Sequence, residues 1–359
     1  VSVATIVSEV SYMVVAIILA WLDFGLWSLV YARLSSAFLK LFLVWIFNPS
    51  WTWLRPKRWD WALSRRLLRY GLPITGGGFV SYFHTHWDDW FVGRQFGTQA
   101  LGYYTKAYDL SNKTLSSLSR SVINGVFFPS YARIRDNQDR MKRVFLKGTR
   151  VVMLMMVPIS LGLLVTAPEI VPVFLGEKWM PMVPTLQVYS FMVLFRPISS
   201  NTVPLFMGAG RPRYVLYAGI VLSVVMVPAV LLLADFGIVG VAIGVVISHI
   251  VGVGYNLWQV EQIVPGTAVD ALRSSVPFLA VGAIMAIIVQ LLKPVILPLG
   301  GEAYALLSVL ALVACGAIVY LGLIFLVQKD LVLELIQLFL SAVGLEGRFS
   351  MLKIRGRAK

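Results

Sequence analysis

The sequence predicts an all-α polytopic membrane protein, and three observations predict it. Of the 359 residues, 58% are hydrophobic and only 13% charged, where a soluble domain usually has about a quarter charged. Apolar runs recur along the whole chain, and a run of about 18 residues with few charges is long enough to cross a hydrocarbon core. Runs such as VVMLMMVPISLGLLV and ALLSVLALVACGAIVYLGLIFLV are apolar on every face. The strands of a membrane β-barrel alternate instead, so helices are the remaining way to satisfy the backbone in lipid.

In chain order the pattern gives about ten transmembrane helices. They cover residues 3–21, 25–46, 71–94, 101–127, 149–174, 182–207, 214–234, 237–258, 276–297 and 303–327. Residues 47–70, WTWLRPKRWDWALSRRLLRY with its flank, mix Trp and Arg as an interfacial linker does, with aromatics at headgroup depth and cations toward anionic lipid. After the last span, DLVLELIQLFLSAVGL reads as an amphipathic helix and GRFSMLKIRGRAK as a basic tail. The single cysteine, Cys315, lies inside the last span, so no intramolecular disulfide exists to report a compartment.

The net charge of +14 invites a nucleic-acid reading, but the placement of the cations argues against one. Residues 47–70, 131–150, 208–214, 258–275 and 329–359 hold 22 of the 31 Lys and Arg. The intervening connections WLDFG, RQFGTQ, GEKWMP, ADFG and LPLGGEA hold only Arg94 and Lys178. By the positive-inside rule the basic segments, and with them the carboxy terminus, face the cytoplasm. Membrane lipids are the expected partners of that face, and nucleic acid is not.

The octet DFGLWSLV at Asp23–Val30 returns as DFGIVGVA at Asp235–Ala242. In both places a short outer turn joins two spans, which suggests two bundles around a central site. Four spans separate residue 67 from the second copy, while only 22 residues precede the first, and the chain begins with Val. A fragment of a two-bundle protein of about fourteen helices is therefore expected, with about four helices upstream. The corresponding division is 1–46 (end of the first bundle), 47–70 (linker), 71–264 (second bundle), 265–328 (two additional helices) and 329–359 (amphipathic segment and tail).

Seven cations fall within spans: Arg33, Lys40, Lys106, Lys113, Arg120, Arg196 and Lys293. At 100° per residue, Lys106, Asp109, Lys113, Ser116, Arg120 and Asn124 gather on one stripe. A charge at the bilayer centre costs about 2.5–3.5 kcal/mol even on the mildest scale, so the stripe should face a wet cavity. Asp109 stands three and four residues from Lys106 and Lys113, so a buried structural network is the competing reading. Arg33 and Lys40 share a face of the second span, with Ser36 between them. Two cationic faces on opposite bundles make a positive cleft suited to phosphate or pyrophosphate.

The stretch FVSYFHTHWDDWFVGRQFG adds ionisable groups of the other kind. Gly77, Ser81, His84, Asp88 and Gln95 share one face; Thr75, Gly78, Tyr82, His86, Asp89 and Gly93 share another. Asp with His inside a membrane suggests ion coupling, and the candidates are His84, Asp88, Asp89 and Asp109. In FRPISSNTVP, Arg196 precedes Pro197 with Asn201 and Pro204 following. Proline kinks a helix, so Arg196, Pro197 and Asn201 are candidates for a gate. Glu169 and Lys293 are expected near the interface. No phosphate loop, metal-ligand spacing or nucleophile motif supports an enzyme, and no cofactor or metal is implied.

GLWSLV, RYGLPI, DDWFVGRQFGTQALGYYTKAYDL, VFFPSYARIRDN, FLGEKWMPMVPTLQVYS and MGAGRPRY together resemble the polysaccharide transporter family of the multidrug/oligosaccharidyl-lipid/polysaccharide exporter superfamily. The resemblance covers residues from about 20 to 260. It implies a fourteen-helix, two-bundle transporter of the bacterial cytoplasmic membrane with alternating access. The implied cargo is a polyprenyl-pyrophosphate-linked oligosaccharide, moved from the inner to the outer leaflet with ion coupling, and other polysaccharide assembly proteins are implied as further partners. The family's Asp, five residues before a Gly-Arg/Lys pair, matches Asp88 before Gly93 and Arg94, which favours Asp88 over Asp89. A drug or cation antiporter of the same superfamily is the alternative, but cations outnumber acids within the spans.

Overall fold

The structure, a computed structural model, describes residues 2–47, 60–113, 131, 134, 137–300 and 305–342. Those residues are helical nearly throughout, with no strand among them. The chain divides into two compact units, residues 1–67 and 68–359.

The smaller unit is built on the hairpin of α1 (Ser2–Trp21) and α2 (Trp27–Phe47). Its turn places Asp23 and Gly25 in the left-handed region, at φ 58° and 53°. Glycine adopts that region without strain, and Asp is among the few other residues found there with any frequency. Across the hairpin, Arg33 pairs with Glu9 at 3.3 Å and lies over the Tyr12 ring.

Helix α3 (Trp61–Tyr108) begins ten residues earlier than the sequence pattern placed it. Asp60 supplies the reason, since its Oδ1 accepts from the Ala62 and Leu63 amides at 2.9 and 3.1 Å and so caps the helix. The connection expected at RQFGTQ reduces to one non-helical residue, Gly97, at φ 85° and ψ 175°. Only glycine takes that conformation without strain. A π-helical turn, Asp109–Lys113, follows.

The larger unit continues with α4 (Gln138–Leu175), a 3₁₀ turn (Glu177–Met182), α5 (Val183–Val193), α6 (Arg196–Gly208) and α7 (Arg213–Leu233). A short 3₁₀ turn (Ala234–Phe236) leads to α8 (Gly237–Ile263), α9 (Thr267–Gly300), α10 (Ala305–Val327) and α11 (Lys329–Ala342). The sixth expected span is thus two helices. Pro197 lacks the amide that would bond to Val193, and the chain turns at Leu194–Phe195 before α6 starts.

Among the described residues, six helical stretches are long and apolar enough to cross a membrane. The expected spans 214–234 and 237–258 lie together in one of them, Arg213–Ile263. The α3 region is diluted by its own acids, histidines and glycines, α5 and α6 are each too short, and 101–127 extends past the described residues. At 38 residues and 1.5 Å per residue, α4 is longer than a hydrocarbon core is thick. Its first turns therefore extend beyond the apolar layer.

Ion pairs at that end of α4 join segments that sequence placed on one side. Lys142 meets Asp270 at 2.6 Å, and Lys147 pairs with Glu334 of α11. Glu261 accepts from the amides of Gly266 and Ala268, closing the turn between α8 and α9.

Two packed cores run through the larger unit. One joins α4, α6, α8, α9 and α10 around Phe145, Met153, Phe206 and Phe278. The other gathers Tyr104, Tyr189, Met192, Met226 and Val245. Helices α7 and α8 approach most closely along Gly240, Gly244, Ser248 and Gly252, a ridge of small residues four apart. A Cβ on Gly244 would stand 2.8 Å from the Val230 nitrogen, and one on Gly252 2.8 Å from Leu222 Cγ.

Candidate functional site

A cavity of about 300 Å³ opens among α3, α6, α7 and α8, wholly within the larger unit. Its position follows from the sequence of each wall. The face of α3 that carries Gly77, Ser81 and His84 turns toward it. The break before α6 delivers Arg196, Ser199 and Ser200 in the first turns of that helix. His249 and Asn256, seven residues apart and so on one face of α8, supply the third wall. Ala218, Gly219 and Leu222 of α7 close it with apolar atoms. The lining positions on α7 fall in its first turns, so the cavity lies toward the end that bears Arg211 and Arg213.

The His84 and His249 rings meet at a tilt of 45° with centroids 5.3 Å apart. His249 Nδ1 lies 3.0 Å from the Val245 carbonyl, which assigns the proton to that nitrogen and leaves Nε2 as an acceptor. His84 Nδ1 and Asn256 Oδ1 are buried without a hydrogen-bond partner among the described residues. No acidic side chain is among the described residues that line the cavity. The wall therefore offers cationic, hydroxyl and amide groups, a chemistry for anions and polyols.

Further along α3, Asp88 is 4% exposed and accepts from the Tyr104 hydroxyl at 2.6 Å. Tyr189 packs edge-on against both Tyr104 and Tyr108, with centroids 5.5 and 5.2 Å away. Asp88 Oδ1 has no partner among the described residues. Asp89, one residue on, is on a different face beside His86 Nδ1 at 3.5 Å. The two aspartates thus occupy unlike surroundings, one dry and one partly solvated.

The remaining sequence candidates are spread out. Lys106 is exposed, with its ammonium 6.0 Å from the Trp179 ring. Asp109 opens the π-helical turn and is half-buried. Lys113 closes that turn, while Arg120 and Asn124 lie outside the described residues. Arg33 shares its charge with Glu9, and Lys40 is exposed on α2. Pro197 is buried behind Arg196. Asn201 is fully buried, donates to the Phe145 carbonyl at 2.8 Å and accepts from Tyr131 at 3.2 Å. It ties α6 to α4.

Lys293 and Glu169, both expected near the interface, prove to be partners: Lys293 is 9% exposed, pairs with Glu169 at 2.9 Å and donates to the Val165 carbonyl at 2.7 Å. A pair joining α9 to α4 can be buried because each charge neutralises the other. Sequence reasoning also missed His249 and Asn256 as site residues. Their signal was present as two polar residues seven apart in an otherwise apolar helix.

Residues 1–184 match the family model described as Polysaccharide biosynthesis protein. The chain is 27% identical over 185 residues to the lipopolysaccharide biosynthesis protein WzxC of Escherichia coli K12, covering 51% of this chain and 37% of that protein. It is 26% identical to the amylovoran biosynthesis protein AmsL of Erwinia amylovora, covering 59% and 54%. With the succinoglycan biosynthesis transport protein ExoT of Rhizobium meliloti it shares 24% over 343 residues, 93% of this chain and 67% of that one. The chain thus spans about half or less of the first two relatives. Its fold is that of the lipid II flippase MurJ in an inward closed conformation, with a TM-score of 0.70 over 92% of this chain and 67% of that chain, at 16% identity.

Proposed function

Since the chain belongs to the polysaccharide biosynthesis protein family, we propose that it is a flippase for lipid-linked saccharide. In this reading it moves polyprenyl-pyrophosphate-linked oligosaccharide units from the inner to the outer leaflet of the bacterial cytoplasmic membrane by alternating access, and it is not an enzyme. The observation that carries the reading is a cavity inside an apolar helical bundle that sets Arg196, His84, His249, Asn256 and several serines into otherwise apolar walls, with no acidic side chain among the described residues that line it. A membrane protein keeps such a cavity open against the hydrophobic effect where a polar cargo must be met. The relatives named for polysaccharide biosynthesis and transport support the same cargo class.

Residues 71–264 are the bundle that rocks, 265–328 are two accessory helices, and the carboxy terminus is cytoplasmic. Lys106, Lys113 and Arg120 attract the pyrophosphate, where each Lys is a point charge and Arg a forked donor. The break at Leu194–Phe195, with Arg196 and Pro197 beyond it, is the hinge. Asp88, dry and held by one tyrosine, is the ion-coupling group.

The test is leaflet transfer in proteoliposomes that contain a fluorescent polyprenyl-pyrophosphate oligosaccharide, with and without a pH gradient. Protein-dependent transfer is expected. Export of a small cationic dye with no saccharide transfer would replace this reading with a cation antiporter.

A further inference from the structure

We propose that the amino-terminal turns of α4 bind the headgroup of an anionic phospholipid, and that this lipid competes with α11 for Lys147. At 38 residues, α4 carries its first turns out of the apolar layer, to the depth at which headgroups lie. In those turns Arg140, Arg143, Lys147 and Arg150 are all exposed. At 100° per residue they fall within an arc of about 80° along roughly 15 Å of helix, while Met141, Phe145 and Thr149 occupy the opposite, buried face. Lys142, outside the stripe, is taken by Asp270. Lys147 is taken by Glu334, but no ion pair joins Arg140, Arg143 or Arg150 to a described carboxylate. With Asp139 in the first turn and Glu334 set against the four cations, the stripe keeps a net positive charge.

The apolar row beside the stripe selects a phospholipid over a soluble anion. Val151, Met155 and Ile159 follow Arg150 at spacings of four, and Met155 and Ile159 are 40% and 39% exposed. An acyl chain lies along that row while its phosphate meets the cations above. An acidic protein or a free phosphate would use the cations and leave the row bare. Arginine suits the phosphate because its fork reaches two oxygens at once, and its long stem lets residues a turn apart share one headgroup.

The competition follows from the position of α11. Leu331 and Val332 pack against the core, and Glu334 of the next turn reaches Lys147. Both side chains of that pair are nearly half exposed, at 44% and 49%, and exposed ion pairs gain little over their separate hydration. A phosphate seated on the stripe can therefore replace the Glu334 carboxylate. Lipid and helix share one ammonium, so each weakens the hold of the other.

Thermal unfolding of the purified, delipidated chain in neutral detergent, followed by tryptophan fluorescence, tests both halves. The probes are dioleoyl phosphatidylglycerol, dioleoyl phosphatidylcholine, glycerol 3-phosphate and polyglutamate. A saturable rise in Tm is expected with phosphatidylglycerol and none with phosphatidylcholine, and high salt should weaken it. Glycerol 3-phosphate has the headgroup chemistry without the chain and is expected to bind at least about tenfold more weakly. Arg143→Gln/Arg150→Gln should weaken phosphatidylglycerol at least about tenfold; should that chain fail to fold, Arg140→Gln serves, with a smaller loss. Lys178→Gln removes a cation from a different connection and should leave the affinity unchanged. Glu334→Gln removes the competitor and should tighten the lipid severalfold.

Equal responses to the two phospholipids, or an affinity lowered as much by Lys178→Gln as by the arginine variants, overturns the site. Stabilisation by polyglutamate equal to that by phosphatidylglycerol assigns the stripe to an acidic protein instead. Equal binding of glycerol 3-phosphate makes it a site for free phosphate. An affinity unmoved or lowered by Glu334→Gln overturns the competition.

Discussion

Gln187 of α5 donates its side-chain amide to the Leu164 carbonyl of α4 at 3.0 Å. Leu164 stands four residues before Pro168, a proline inside α4. Because proline has no N–H, that carbonyl has lost its helical partner, and the neighbouring helix replaces it. The bond also fixes how far along α4 the short helix α5 is placed, and hence where α6 begins. Removing the amide strands a carbonyl in an apolar setting, at a cost of about 1–3 kcal/mol. Gln187→Leu is expected to lower stability by that amount. Pro168→Ala restores an amide to the helix, so Gln187→Leu is expected to lose less than half as much in that background. A double-mutant cycle on thermal unfolding decides it, and equal losses in both backgrounds would sink the idea.

Lys293 and Glu169 make a second link, from α9 to α4, with both side chains largely buried. Removing one member leaves the other as an uncompensated charge, which costs about 3–5 kcal/mol. Lys293→Met is expected to deplete the protein from membranes, and Glu169→Gln should do the same. The combined Lys293→Met/Glu169→Leu chain is expected to recover most of the folded protein. Quantifying monodisperse protein after extraction checks this, and a double variant worse than either single one would contradict it.

Glycine is required at 244 by distance rather than by backbone angle. An added Cβ meets backbone atoms of Ala229 and Val230 at 2.8–2.9 Å, and backbone cannot rotate away as a side chain can. Gly244→Val is expected to push α7 from α8 and to cost about 1–3 kcal/mol as overpacking. Gly254, almost three turns on, has nothing within 4 Å of its Cβ position. Gly254→Ala should therefore leave the unfolding temperature within about a degree of wild type or slightly above it.

Asp88 and Tyr104 allow ion coupling to be separated from folding. Asp88→Asn keeps an oxygen for the Tyr104 hydroxyl but cannot change its charge. Transfer of lipid-linked saccharide by this variant is expected to proceed at the same rate with and without a pH gradient. Tyr104→Phe leaves the carboxylate but removes its partner, at about 1–3 kcal/mol of stability, with gradient dependence retained. A gradient response in Asp88→Asn equal to wild type would remove Asp88 from the coupling role.

Much of the larger pattern was legible in sequence. Hydropathy alone fixed the helical class, and the sidedness of the cations agrees with ion pairs that bring Lys142, Lys147, Asp270 and Glu334 to one end of the larger unit. Helical period placed Gly77, Ser81 and His84 on one face. Pro197 marked the interruption between α5 and α6. These are properties of one residue or one helix, and they depend on local geometry or on transfer from water to lipid.

What tertiary structure alone decided was pairing. Periodicity says that Lys293 and Glu169 each lie on some face, but not that those faces meet across 124 residues of chain. It likewise could not bring His249 to His84, or join Arg33 to Glu9 rather than leave it as a bare cation. The physical reason is that a charge or a hydrogen-bonding group in a dry interior takes its energy from whichever partner packing sets within about 3 Å. Composition determines that such groups must find partners; only the packing of helices against one another determines which.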